Sequence, residues 1–492
     1  MNILLIYPKF PDTFWSFSHA LRFIGKKAAL PPLGLITVAA LLPKHFHMRL
    51  VDLNVEALGE EDLAWADMAF ISAMAIQRKS VIDVIDRCKA KSLKIVAGGP
   101  LFTAQPNDFG QVDHLVLDEA ESTIPAFLAD LKNGCPKPLY RATGYPDIRR
   151  SPIPLWRLID MRRYATLSLQ YSRGCPFNCE FCNITALLGR TPRIKTPQQV
   201  VAELDAIYQA GWRGNVFFVD DNFIGNKASL KDHLLPELIK WRQDKTGFVF
   251  FTEASINLAD DPELMDMMTK AGFDAVFIGI ETPDTGSLTE CSKIQNRNRD
   301  LLEDVKKIHR SGLQVMGGFI VGFDHDPPSI FQRQIDFIQQ SGIVTAMVGM
   351  LQAPPGTRLF KRLAMEHRIS GEFSGDNVDG CTNIIPAMGL DKLIAGYRTV
   401  MNKIYSPRMY YQRVKRILRD LKAPIVTPPF EFQRFLVVLR ASLRLGVFGK
   451  ERFEYWRLLA WTLTRRPKMF PQAVTLAIYG YHFRRICERH IH

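Results

Sequence analysis

Ser168 to Asn183 reads SLQYSRGCPFNCEFCN, a β-prone run that passes into a loop bearing Cys175, Cys179 and Cys182. The Cys-x3-Cys-x2-Cys spacing puts three thiols on one short loop after a strand. Three thiolates can hold three irons of a four-iron, four-sulfur cluster and leave the fourth iron open to another ligand. A structural zinc would ask for a fourth protein ligand, usually in a second Cys-x2-Cys or a His pair, and none is nearby. The other five cysteines, Cys88, Cys135, Cys291, Cys381 and Cys487, are isolated in sequence and read as ordinary thiols.

Downstream, the strand SLQYS is the first of six apolar runs separated by helical stretches: VFFVDDN, FVFFTEAS, AVFIGIE, VMGGFIVGF and TAMVGMLQA follow. Six strand–helix repeats predict a partial or full β/α barrel with its chemistry at the carboxyl ends of the strands. Upstream, residues 1 to about 140 alternate ILLIY, MRLVDL, MAFISAM, KIVAGGP and DHLVLDEAE with helical stretches. That alternation predicts a parallel α/β sheet of nucleotide-binding type. Pro146 to Leu155, with its SPIP stretch, reads as a linker. After about Ser370 the pattern turns helical and rich in Arg, Trp, Phe and Tyr. The expected divisions are therefore 1–145, 146–370 and 371–492.

The length of 492 residues and 47% apolar content can fill two or three cores. Sparse, irregular cysteines argue against a secreted disulfide framework, and MNILLIYPKF lacks the basic start and cleavage site of a signal peptide. A cytoplasmic protein is expected. No run reaches the roughly 20 apolar residues of a spanning helix. From Met401 to His492 there are 19 Lys and Arg against five Asp and Glu, while the whole chain carries +13, so the basicity resides in the tail. There Phe432, Leu436, Leu439 and Leu443 form an apolar helical stripe edged by Arg440 and Arg444, which suits a helix lying on an anionic membrane. A helical cap on the barrel with a solvated basic face is the competing reading. No nucleic-acid module accompanies the charge, and nucleic acid is not an expected partner.

Strand ends supply further candidates. Asp220 and Asp221 close VFFVDD and could accept hydrogen bonds from an ammonium, or cap the next helix. Glu253 and Glu281 end the next two strands at the same mouth, and Gly317, Gly318 and Gly322 permit close backbone approach.

The cysteine motif resembles that of the radical S-adenosylmethionine superfamily. In that family the open iron is chelated by the cofactor's methionyl amine and carboxylate, and one-electron reduction releases a 5'-deoxyadenosyl radical. The resemblance implies that Phe181 lies against the adenine and that Asp220, Asp221, Glu253 and Glu281 serve the S-adenosylmethionine site. Glu281 alternatively has a structural or supporting role. PPLGL (31–35), ISAM (71–74), AGGP (97–100) and LDEAE (117–121) further resemble the subclass with a cobalamin-binding domain. The implied fold is α/β: a Rossmann-like cobalamin-binding domain, a partial (β/α)6 radical barrel and a basic helical region. Ser72, Gly98 and Gly99 would hold the corrin. The Asp-x-His-x-x-Gly signature is missing, because the second strand reads VDLNVE, which implies cobalt without a protein histidine and also allows a domain that has lost cobalamin.

Together QYSRGCPFNCEFC, KTPQQVVAELD, VFFVDDNFIGN, GIETPD and LQAPPGT resemble the group containing the hopanoid C-2 methylase, from residue 1 to about 430. Asn183 stands where that group is expected to have Asp. The resemblance implies a cobalamin-dependent radical methyltransferase, acting on an unactivated carbon of an apolar, lipid- or isoprenoid-like substrate, with flavodoxin or ferredoxin as electron donor. Radical rearrangement or carbon–carbon coupling without methyl transfer, and a non-catalytic iron–sulfur sensor, are the alternatives.

Overall fold

The computed structural model describes residues 1–376, 378–422 and 432–490. The amino-terminal region forms six parallel strands: β1 (Asn2–Tyr7), β2 (His47–Asp52), β3 (Met68–Ser72), β4 (Lys94–Gly98), β5 (His114–Val116) and β6 (Leu139–Tyr140). Their order is β2-β1-β3-β4-β5-β6. Both faces of this sheet are covered: Ile6, Ile71, Ile95 and Phe102 pack on one side, Leu5, Phe70, Val96 and Phe127 on the other. That burial explains why its strands read as nearly continuous apolar runs. The sixth strand went unread because two residues carry no period.

The second sheet begins with β7 (Thr166–Leu169). The chain then forms a two-stranded ribbon of β8 (Ser172–Arg173) and β9 (Arg193–Ile194) around the cysteine loop. It resumes with β10 (Asn215–Phe218), β11 (Val249–Glu253), β12 (Phe273–Glu281), β13 (Gln314–Val321) and β14 (Ala346–Met350). These six parallel strands lie in the order β14-β13-β12-β11-β10-β7, an open barrel wall. A capping box opens the first crossover helix, Pro197–Gln209. Thr196 Oγ1 accepts from the Gln199 N–H, the Gln199 side chain accepts from the Thr196 N–H, and Pro197 stands in the first turn. Along β11, Phe250 and Thr252 are buried toward the helices, while Phe251 and Glu253 alternate onto the inner face.

Residues 371–376 and 378–389 are largely irregular, and regular helix resumes at Leu390–Ile404 and Pro407–Asp420. Further helices span Phe432–Ala441, Arg452–Arg465 and Phe470–His490. This tail shares one core with the barrel, to which it contributes Tyr397, Tyr410, Leu458 and Phe483. It also reaches the amino-terminal region, where Phe14 stacks on Phe483 with ring centroids 4.9 Å apart. Much of the basic tail is therefore architecture. Arg466 donates to the carbonyls of Arg419 and Leu421, Arg484 pairs with Glu451, Arg489 pairs with Asp12, and buried His482 bonds the Phe14 carbonyl at 3.0 Å. The expected stripe is corrected as well: Leu436 is half-buried, the Phe432 side chain lies outside the described residues, and the exposed row is Phe435, Leu439, Leu443 and Val447.

Candidate active site at the barrel mouth

The cysteine loop leaves the top of the barrel between β8 and β9. Gly174 makes the turn at φ 93°, and a Cβ there would meet the Thr191 carbonyl oxygen at 2.8 Å, so Arg-Gly-Cys has little alternative at its middle position. The loop is pinned at several points: the Cys175 N–H donates to the Gly189 carbonyl, the Cys182 N–H to the Cys179 carbonyl, and the Glu180 N–H to the Cys291 carbonyl. The Glu180 carboxylate also pairs with Arg362 at 2.8 Å.

All three thiols carry weak donors or charges suited to sulfur ligands. Asn222 Nδ2 lies 3.9 Å from Cys175 Sγ, and Gln295 Nε2 lies 3.7 Å from Cys179 Sγ. Burial pushes the Cys175 thiol up and the Cys182 thiol up to about 12, with the Cys179 thiol adding to both and Lys293 opposing. An uncompensated set of buried thiols is costly to ionise. Iron ligation would remove that cost, since a metal-bound thiol is deprotonated outright. Two of the three sulfurs have side-chain amide N–H groups aimed at them, a donor set that suits a cubane with one open iron, and Cys291 stands close by, its carbonyl bound by the Glu180 N–H.

The two aspartates at the end of β10 do different work. Asp220 is fully enclosed; its oxygens accept from the Ser172 N–H, from Ser172 Oγ at 2.5 Å and from the Tyr171 N–H at 3.1 Å. These bonds tie the end of β10 to the start of the cysteine loop. Asp221, one residue on and of opposite pleat, has a buried Oδ2 with no partner among the described residues. Burial, and then the Asp220 charge, push Asp221 up to about 7; burial, and then Asp221, push Glu253 up to about 8. Arg173 acts on Asp221 and Lys293 on Glu253 in the opposite direction, but burial and repulsion among the carboxylates outweigh them, so the two carboxylates suit a further cation such as an ammonium group.

Glu281 accepts a hydrogen bond from Lys293 Nζ at 2.6 Å, and its backbone, at φ 63°, offers its carbonyl to Gln334. Its role is to position Lys293, whose ammonium is kept charged against burial by Glu281 and by the Cys179 and Cys182 thiols. Phe181 lies between Phe323, 6.2 Å away, and the Lys293 ammonium, 5.9 Å from its ring centroid. Sequence reasoning missed Lys293, Asn222 and Gln295, which belong to no period or spaced motif.

Below Glu253 the inner wall is aromatic. Phe217 and Phe251 stack at 4.6 Å with planes 7° apart, Phe277 crosses Gly318 so closely that a Cβ there would touch it at 3.0 Å, and Trp15 of the amino-terminal region lies 5.3 Å from Phe277.

The first sheet meets this mouth with its own carboxyl edge. Arg173, just before the cysteine loop, pairs with Glu119 at 2.6 Å and Glu121 at 2.9 Å, and Arg193 pairs with Glu119 at 2.7 Å. The LDEAE segment thus fastens the two sheets together. At that edge Gly99 sits at φ 91°, where a Cβ would stand 2.6 Å from Ser72 Oγ; one on Gly98 would stand 2.5 Å from the Val116 carbonyl oxygen. These contacts keep the edge low, Met74 is exposed beside it, and no histidine follows any strand end there. The glycine part of this edge, beside the paired charges of Glu119 and Glu121, is low and suits the flat face of a corrin.

The family model described as the radical SAM superfamily matches residues 169–338, and a domain of unknown function (DUF4070) matches residues 357–492. An uncharacterized methyltransferase of Synechocystis sp. is 42% identical over 491 residues, covering 98% of this chain and 91% of its own. The hopanoid C-2 methylase of Rhodopseudomonas palustris is 34% identical over 479 residues, covering 94% and 90%. The chain belongs to the radical S-adenosylmethionine superfamily. It is an enzyme of the branch with a cobalamin-binding-type domain, in the group of the hopanoid C-2 methylase. These matches extend past residue 430, where the motif resemblance ends, and span nearly the whole chain. In fold, the chain resembles the cobalamin-dependent S-adenosylmethionine radical enzyme OxsB with aqua-cobalamin bound (TM-score 0.62, 15% identity, covering 99% of this chain and 80% of that one). It also resembles the radical S-adenosylmethionine methyltransferase TsrM from Kitasatospora setae with tryptophan and a cofactor analogue bound (TM-score 0.58, 15% identity, covering 74% and 76%).

Proposed function

We propose that this enzyme methylates an unactivated carbon of an apolar, lipid- or isoprenoid-like substrate, using a four-iron cluster, S-adenosylmethionine and cobalamin. The observation that carries the reading is the mutually repelling pair Asp221 and Glu253, with Asp221 Oδ2 left without a protein partner among the described residues, beside the loop thiols and above an aromatic wall. When bound, the cluster and S-adenosylmethionine supply a 5'-deoxyadenosyl radical, and cobalamin supplies a methyl group.

The chain's own residues bind and exclude. Cys175, Cys179 and Cys182 hold iron, while Asn222 and Gln295 donate to the sulfurs. Asp221 and Glu253 accept from the methionyl ammonium, Lys293 faces its carboxylate, and Phe181 packs on the adenine. Phe217, Phe251, Phe277 and Trp15 give an apolar substrate a surface that also keeps water from a reactive carbon. Ser72, Gly98 and Gly99 let a corrin approach the first sheet closely. A small electron-transfer protein such as flavodoxin or ferredoxin supplies the electron, and the enzyme works peripherally on a membrane, where such substrates reside. Among the described residues no helix is long and apolar enough to cross one.

The test has separable readouts. Anaerobically reconstituted protein should bind about four irons, retain cobalamin and form deoxyadenosine; Cys179→Ala should lose iron and deoxyadenosine while retaining cobalamin. A strain lacking the enzyme should lack methylated lipids and keep species lighter by about one methylene. Deoxyadenosine without cobalamin retention would overturn methyl transfer, and iron binding unchanged in Cys179→Ala would overturn the cluster assignment.

A further inference from the structure

Within the tail, one element is built differently from the rest. The helix Phe432–Ala441 continues through a wider turn, Ser442–Val447, and reverses at Phe448–Glu451 into the helix Arg452–Arg465. The reversal is rigidly made. Trp456 Nε1 donates to the Gly446 carbonyl at 3.0 Å, a Cβ at Gly446 would meet the Trp456 ring at 2.9 Å, and Ser442 Oγ bonds the Tyr455 hydroxyl at 3.1 Å. Leu445, Glu451 and Tyr455 are buried beneath it.

The outer surface of this hairpin is apolar at its tip and along one edge. Phe448 is 79% exposed and Phe453 is 76% exposed, which is extreme for phenylalanine in a structured turn. Leu439, Leu443 and Val447, four residues apart along the first helix, continue the apolar row from the tip, with Trp456 on the second helix. The charge around it has one sign. Between residues 432 and 470 there are nine Lys and Arg against two Glu. Glu451 is buried against Arg484 and Glu454 is half-buried, so the outward face has no exposed carboxylate among its described residues. Lys450 and Arg452 flank the two phenylalanines, both exposed.

We infer that this hairpin is the membrane-docking element: Phe448 and Phe453 enter the acyl boundary of an anionic bilayer while Lys450 and Arg452 lie at the phosphates. Apolar tips ringed by cations, with no exposed anion, match the two layers of such a surface in the right order. A basic protein partner would need exposed acids here, and this face has none among its described residues, whereas its cationic rim suits a phosphate layer. The inference rests on the proposed peripheral location and explains how an apolar substrate is reached, but its test needs no turnover.

The experiment is flotation of the full-length protein with vesicles of phosphatidylcholine alone and of phosphatidylcholine with phosphatidylglycerol, at low and high salt. Wild type should float with the anionic vesicles and be largely released by salt. F448S/F453S, whose rings are mostly in solvent, should keep the wild-type melting temperature and lose binding by about tenfold or more; K450Q/R452Q should lose chiefly the salt-sensitive part. Wild-type binding unchanged by either double variant would overturn the hairpin assignment and leave the peripheral location standing. Absence of binding by wild type would overturn both. A concentration-dependent dimer of wild type, abolished by F448S/F453S without any vesicle binding, would make the surface a self-association face and overturn the inference.

Discussion

Asp52 and Asp221 occupy comparable places, each at or just past the carboxyl end of a parallel strand and each buried, yet they face opposite situations. Asp52, at the end of β2, accepts from the Asn54 N–H at 2.9 Å, from Asn54 Nδ2 at 2.6 Å and from the Tyr164 hydroxyl at 2.9 Å. It closes the first sheet against the segment leading into the barrel. Asp221 has neighbours of its own sign and an oxygen with nothing to accept. The partners of Asp52 belong to the chain, whereas Asp221 keeps one oxygen without a protein partner among the described residues. The same contrast divides Asp220 from Asp221 within two residues.

Three measurements would break or sharpen that contrast. The largest effect is expected at the open pair: Asp221→Asn with Glu253→Gln should weaken S-adenosylmethionine binding at least ten- to a hundredfold, the loss of charge-assisted bonds worth about 1.5–3 kcal/mol each. The same change should raise the melting temperature of the cofactor-free protein, because it removes two desolvated carboxylates that repel each other. Titration of binding by calorimetry beside a thermal melt reads both signs, and a lowered melting temperature would make the pair structural. At the closed carboxylate the signs reverse. Asp52→Ala should cost about 1–3 kcal/mol of stability by stranding its donors, while cofactor affinity in the folded fraction stays as in wild type. Denaturant unfolding with parallel binding checks this, and an affinity loss would place Asp52 in the site.

The smallest effect is expected at Gly99. Alanine there meets a left-handed backbone and the Ser72 hydroxyl at once, a cost of about 1–2 kcal/mol. Copurified cobalamin should fall while deoxyadenosine formation with added cofactor persists. Full cobalamin retention would show that the glycines serve sheet packing alone.

The strands of both sheets were legible wherever the strand was three or more residues long, and β6, at two residues, was not. The cysteine loop was legible because its ligands are adjacent in sequence. Asp220 and Asp221 are identical in type, and only the pleat distinguishes them, so a one-dimensional reading gave both the same task. Lys293 lies in CSKIQN beyond the end of β12, and nothing in that string indicates that it folds back between Glu281 and the thiols. The tail was half legible: its charge and aromatic content pointed to a surface, but the helical period chose the wrong row, since packing against the amino-terminal region decides which side faces out.

That packing also orders events during synthesis. His482 bonds the carbonyl of Phe14 across 468 residues of sequence, and Phe14 stacks on Phe483. The ribosome releases the Phe14 segment long before the helix Phe470–His490 exists, so Trp15, which lines the barrel wall, can take its final place only after that helix is made. Contacts this distant in sequence form late and leave apolar surface exposed meanwhile. Nascent chains halted before the final helix should therefore depend on chaperones, even with the first sheet already folded.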